Sequence, residues 1–283
     1  MSVPPARSLW LGPLQAIRRR RSVIVGYHGI ARSPVWDDLS RLQVRPTRFR
    51  AHVEALVAAG FKFVTVAELA RLASGQEPPP GYAAISFDDA MRTMVTVALP
   101  VLREYGIRAT AYVTIGFLGG VSPWIGAKRE NRIATAEELL ELAAAGWELG
   151  AHTMTHPDLS LLDYDACRRE IEDSKSALER ISGLPVETFA YPFGSYGPAS
   201  VQAARDSGFI AAVSTGGGSW DPFRLTRAMV GNLDPMPLVL LKLNDRYEPL
   251  MGSPPINVLR QRSKQIRRWA QKQSDGRGPA DTS

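Results

Sequence analysis

An α/β fold, with a parallel sheet of about eight strands covered by helices, is what three features of these 283 residues predict. Short β-branched or apolar runs recur along the chain, helical patterns lie between most of them, and the polar residues suited to chemistry fall at the ends of the runs. Strands that alternate with helices argue for a parallel sheet covered by helices. Their number suits a closed barrel better than an open sheet, a choice that spacing by itself leaves open. In such barrels the reacting groups sit at the C-terminal ends of the strands.

In chain order, "SVIVGYH" (22–28) is the first strand and ends in His28. The helical pattern 47–59 follows, with Phe49, Val53, Leu56 and Val57 on one face. "KFVTV" (62–66) is a strand and "GQEPPPG" (75–81) a loop. "AAISFDD" (83–89) is an apolar strand that stops at two adjacent carboxylates, Asp88 and Asp89. A helix over 91–105 leads to the strand "ATAYVT" (109–114). Thr135 and Glu138 form a capping box that opens the helix 135–145. "WELGAH" (147–152) ends in His152, and the helix 163–182 separates it from "ETFAYP" (187–192). The helix 197–206 and the strands "FIAAVS" (209–214) and "RLTRAMV" (224–230) complete the series. Gly60, Gly146, Gly183 and Gly208 stand where helices stop.

The organisation expected is a basic segment over 1–21, one catalytic domain over 22–255, and a basic helix with a disordered tail over 256–283. No internal repeat is evident. With 45% hydrophobic and 22% charged residues the chain can build a substantial core. The single cysteine, Cys167, excludes an intrachain disulfide. Arginines follow the first apolar stretch rather than precede it, the reverse of a secretory signal. Together these lead us to expect a cytoplasmic protein.

The net charge of +6 is concentrated at the ends. Arg18 to Arg21 supply four cations, and Arg260, Arg262, Lys264, Arg267, Arg268 and Lys272 six more. The remainder holds 24 basic against 28 acidic residues. Two solvated ends are the plain reading; the sharper one is loose, peripheral contact with an anionic membrane surface. Nucleic acid is not expected, because no aromatic-and-basic binding motif accompanies the charge.

His152 and His156 are four residues apart, and one turn would bring both imidazoles to one point. With a strand-end carboxylate they make a two-His, one-carboxylate set suited to zinc, which leaves a coordination position open. The alternative for Asp88 or Asp89 is a helix N-cap on "DDAMRTMV".

"SFDDA", "HTMTH", "FAYPFGSY" and "WDPFRLTR" together resemble motifs of the polysaccharide deacetylases with the NodB homology domain, in the exopolysaccharide-deacetylase variant with a circularly permuted barrel. The resemblance runs from about residue 22 to residue 232. It implies a distorted, NodB-like (β/α) barrel of about seven to eight strands that removes N-acetyl groups from an N-acetylhexosamine-containing saccharide with a divalent metal: zinc, or else cobalt or nickel. It implies further that Asp89, His152 and His156 bind the metal and that Asp88 is the general base. Phe193 would offer its backbone N–H to the oxyanion, and His28, in a "YH" at the first strand, would be the general acid. Tyr191, Pro192, Tyr196 and Trp220 would contact substrate. Ala90 stands where the family usually has Gly, and Ala190 where typical members have an Arg paired with the base. His52, within the helix 47–59, is expected at the surface. The rival readings are a glycan-binding protein on the same barrel that has lost efficient turnover, and a deacylase of another amide or ester.

Overall fold

The computed structural model describes residues 5–31, 42–123, 132–215 and 220–244, with no side-chain detail for 5–8. The expected C-terminal helix and the basic run 260–272 lie outside the described residues.

All eight expected strands are present and parallel. Seven of them form a ring: β1 (Val23–Tyr27), β10 (Leu225–Met229), β9 (Ala211–Thr215), β8 (Thr188–Ala190), β7 (Glu148–Ala151), β6 (Thr110–Val113) and β5 (Tyr82–Phe87). Pairing of β5 with β1, Ala83 opposite Val23 through Phe87 opposite Tyr27, closes it. The eighth, β4 (Lys62–Val64), lies against the first half of β5, and β6 takes over at Ser86 and Phe87. This handover distorts the barrel. Two short strands, β2 (Gly29–Ile30) and β3 (Gln43–Val44), pair outside it.

Residues alternate across each strand. One set fills the interior: Ile24, Ala84, Tyr112, Ala190, Ala211, Val213 and Leu225. The other set, among them Val23, Val25, Ile85, Phe87 and Phe189, packs outward under the helices α2 (Pro46–Ala58), α5 (Ala136–Ala144), α6 (Tyr164–Ser182) and α7 (Pro198–Asp206). Helix α5 has the capping box expected of Thr135 and Glu138.

Three helices were not anticipated: α1 (Pro5–Arg18), α3 (Val66–Ala73) and α8 (Met236–Leu243). Helix α3 plugs the N-terminal end of the barrel, where Val66 and Leu69 join the interior cluster. Its first N–H groups meet Thr110 and Glu148 at the starts of β6 and β7. The expected helix 91–105 is divided. Pro100 has no N–H to donate, and a wide turn over Met94–Ala98 precedes α4 (Leu99–Arg103), Leu99 N–H reaching back to the carbonyl of Met94. Among the described residues no helix is long and apolar enough to cross a membrane.

Candidate active site

Asp89 follows β5, His152 follows β7 and His156 closes the turn after it. Nε2 of His152 lies 3.4 Å from Asp89 Oδ1, and Nε2 of His156 lies 3.3 Å from the same oxygen. One ligand atom from each of the three residues falls within 4.8 Å of the others, and all three residues are buried. A tetrahedral ion with bonds of about 2.0–2.1 Å has its ligand atoms about 3.3 Å apart. The donor set and its spacing therefore fit a divalent metal such as zinc. Nδ1 of His152 is 2.7 Å from the Ala190 carbonyl, which fixes its ring and leaves Nε2 to face the site.

Asp88 is also buried, and its carboxylate is held from across β1, the strand between β5 and β10. Nη1 of Arg227 on β10 donates to Oδ1 at 2.5 Å and Nη2 to Oδ2 at 2.7 Å, while Nη1 also reaches Ser86 Oγ. Burial works to raise the pKa of Asp88, but the Arg227 guanidinium outweighs it and holds the carboxyl below its usual value. Asp89 is held well below its usual value: burial is outweighed by hydrogen bonds from His152 and His156. His28 Nε2 lies 4.0 Å from Asp88 Oδ2 at the end of β1. One wall of the site thus carries the three candidate ligands and the other carries Asp88, Arg227 and His28.

Arg227 is the functional residue that sequence reasoning missed. Ala190, in the place of the family's Arg, faces the barrel interior, where Arg227 also lies buried. The guanidinium expected from β8 comes from β10 instead. A strand pattern with Arg between Leu225 and Met229 was the available signal, since a cation at a buried strand position requires an acid.

The backbone around this centre is strained. Among the described residues, six non-glycine residues have positive φ, and five of them are Asp89, Ala90, Thr153, His156 and Phe193. Such conformations cost of order 1–3 kcal/mol each and collect at functional sites. At Ala90, φ is 51°, which accounts for the glycine usual there. Neither Asp88 nor Asp89 caps a helix, because the next helical turn begins at Met94 with Thr93 as its cap residue.

Phe193 stands at the site: its ring is 48% exposed and packs edge-on against His156, centroids 4.6 Å apart. Of the other expected substrate contacts, Tyr191 and Pro192 are buried and Trp220 lies at the other end of the barrel. Tyr191 is fully buried, pointing outward, and its hydroxyl donates to the Phe223 carbonyl. Pro192 is buried beside it. Tyr196 lies over the Tyr191 ring, with Arg224 on it. Trp220 packs on the interior cluster that α3 completes. It precedes Pro222, whose carbonyl meets Ala212 at the start of β9, so it belongs to the end of the barrel opposite Asp88. His52 is buried rather than exposed, 3.3 Å from Tyr27 Oη, and burial pushes its pKa down to about 4.

Residues 75–212 match the family model described as polysaccharide deacetylase. YxkH of Bacillus subtilis, named for the same family, is 28% identical over 193 residues, 68% of this chain and 63% of YxkH, so the chain spans under two thirds of that relative. The poly-β-1,6-N-acetyl-D-glucosamine N-deacetylase of Staphylococcus epidermidis is 22% identical, over 76% of this chain and 80% of its own length. Among solved structures, the Streptococcus pyogenes deacetylase PplD in complex with acetate superposes with a TM-score of 0.68 at 26% identity, over 79% of this chain and 98% of PplD. IcaB from Ammonifex degensii has the same fold, with a TM-score of 0.64 at 22% identity, over 79% of this chain and 97% of IcaB.

Proposed function

We propose, from the premise that this chain belongs to the polysaccharide deacetylase family, that it hydrolyses N-acetyl groups on an N-acetylhexosamine-containing saccharide. The observation that carries the proposal is the juxtaposition of two halves: the Asp89, His152 and His156 triad on one wall, and Asp88 paired with Arg227 and facing His28 on the other. A divalent ion bound by the triad would polarise the acetamide carbonyl and acidify a coordinated water.

The chain's own groups divide the proton transfers. Asp88 accepts the proton of the water that attacks the carbonyl carbon. Both its oxygens already accept from Arg227, but each carboxylate oxygen has a second lone pair. Arg227 holds the carboxylate in one orientation and keeps it ionised. The backbone N–H of Phe193 is the candidate donor to the developing oxyanion. His28, on the same wall, gives a proton to the amine nitrogen as the C–N bond breaks, and the products are acetate and a free amine. The acetate held by the Streptococcus relative supports this reading.

Arg227 also favours turnover over passive glycan binding, because a base kept charged and oriented is of no use to a lectin. We place the protein in the cytoplasm, in salt-sensitive contact with anionic membrane through Arg18–Arg21; fractionation at low and high salt tests it. The activity is tested by loading the protein with zinc or cobalt and measuring acetate release from N-acetylglucosamine oligomers, nucleotide sugars and lipid-linked glycans. Release from none of them by metal-saturated protein counts against an N-deacetylase.

A further inference from the structure

The turn that carries both histidines has two residues in left-handed conformation, Thr153 (φ 67°) and His156 (φ 63°). Something must hold it there. On one side, Ile115 N–H donates to the Thr153 carbonyl and Gly116 N–H to the Met154 carbonyl, at 3.3 and 3.0 Å. A Cβ on Gly116 would come within 2.5 Å of that Met154 oxygen, so the approach requires glycine. On the other side the turn presents successive N–H groups, a concavity suited to an anion. Glu170 fills it. Its Oε2 accepts from Met154 N–H and Thr155 N–H, both at 2.9 Å, and its Oε1 accepts from Thr155 Oγ1 at 2.6 Å.

Glu170 is itself placed rigidly. It lies on α6, which packs on β7, between the fully buried Cys167 and Ile171. The start of α6 is fixed by the Asp163 cap on Ala166 N–H. Within the turn, Thr153 Oγ1 donates to the His152 carbonyl and accepts from His156 N–H, while His152 is tied to its neighbours by its N–H on the Val113 carbonyl and by Thr114 Oγ1 on its own carbonyl.

We propose that Glu170 is a positioning residue of the metal centre. Its carboxylate clamps the 152–156 turn so that both Nε2 atoms are preset beside Asp89. This rests on the reading of Asp89, His152 and His156 as metal ligands. Loss of the clamp lets the two strained residues relax and makes metal binding restore the turn, so the cost appears as affinity. Partners one shell out from a metal typically contribute 10–100-fold.

The test is the dissociation constant for Zn²⁺ and Co²⁺, by chelator competition on metal-free full-length protein, together with the Co²⁺ absorption spectrum. Glu170→Ala is expected to bind each ion about 10–100-fold more weakly, and Glu170→Gln, which keeps one acceptor oxygen, less so. The Co²⁺ bands should shift, and saturating metal should restore most of kcat. The metal-free variants should still unfold cooperatively. Glu172→Gln, which breaks a surface pair with Arg168 on the same helix, should change nothing. Should Glu170→Ala not fold, Glu170→Gln and Thr155→Val decide by the same constants. Affinities within twofold of wild type, with wild type binding one ion, overturn the clamp and leave the ligand assignment standing. A wild-type protein that binds neither ion overturns both.

Discussion

The two ends of the barrel each hold a carboxylate, Asp88 buried and Glu148 half-buried, and they treat it in opposite ways. At the mouth, Asp88 meets a guanidinium and is held below its usual pKa. At the floor, Glu148 accepts its hydrogen bonds from neutral donors, among them the hydroxyls of Thr110 and Thr188 and the Ala67 N–H at the start of α3. Burial there wins, and its pKa is raised. The surrounding backbone differs in the same sense. Thr65 and Glu68 close a regular capping box at the floor, whereas the mouth collects five left-handed residues. The floor satisfies its polar groups and seals the barrel; the mouth keeps charge and strain where a substrate can use them. A nearby cation, more than depth, separates a structural acid from a reactive one.

Substitutions at the two ends should therefore have unequal effects. The largest is expected for Asp89→Ala, which removes a ligand from the mouth. Metal content by elemental analysis should fall to background and acetate release with it; wild-type metal content would break the assignment. Next comes His28→Ala, where metal and fold should persist while kcat drops by about 10²–10⁴ and the basic limb of the pH–rate profile disappears. Near wild-type turnover would exclude His28 as the acid. Arg227→Met should turn the mouth carboxylate into an unpaired buried charge. Removing one partner of such a pair costs about 3–5 kcal/mol, visible in urea unfolding, and kcat should fall as Asp88 loses its orientation. Adding Ala190→Arg, a cation from an interior position on β8, beyond β9, should recover part of the lost activity. A stability unchanged by Arg227→Met would show that the pair does not hold the mouth.

The smallest effect is expected at the floor, with Glu148→Gln. An acid with a raised folded pKa favours folding below that pKa and loses the contribution as pH rises through it. The amide has no such dependence, so the variant should gain stability relative to wild type as pH climbs above the ordinary carboxylate range. Metal affinity and kcat should stay at wild-type values. Thermal unfolding between pH 4 and 8 checks the sign, and a variant that loses ground with rising pH would break the contrast.

Much of this was legible in the sequence, and what was not has a common cause. The eight strands and the ligand triad carry strong local signals: apolar runs, and polar residues where the runs stop. Period-two alternation decides which of two neighbours faces inward, and a strand end read without it misplaces side chains. Ala190 faces in, so Tyr191 faces out, and its hydroxyl serves the outer layer instead of a sugar. Helix α3 was hidden because Val66 was read as the end of a strand, although Thr65 and Glu68 spell a capping box. Arg227 is a pairing across 139 positions of sequence, which no local pattern contains.

The ring closes through β1, whose two neighbours lie far apart along the chain: β5, ending at Phe87, and β10, beginning at Leu225. A ribosome adding about 5–20 residues per second makes β5 about 7–28 seconds before β10. During that interval one edge of β1 has no partner, and an open strand edge invites association with other nascent chains. The same delay keeps the emerging polypeptide inert, because the guanidinium that orients Asp88 arrives with the strand that shuts the ring. The proposed hydrolytic site and protection from aggregation are thus completed together, in one late step of synthesis.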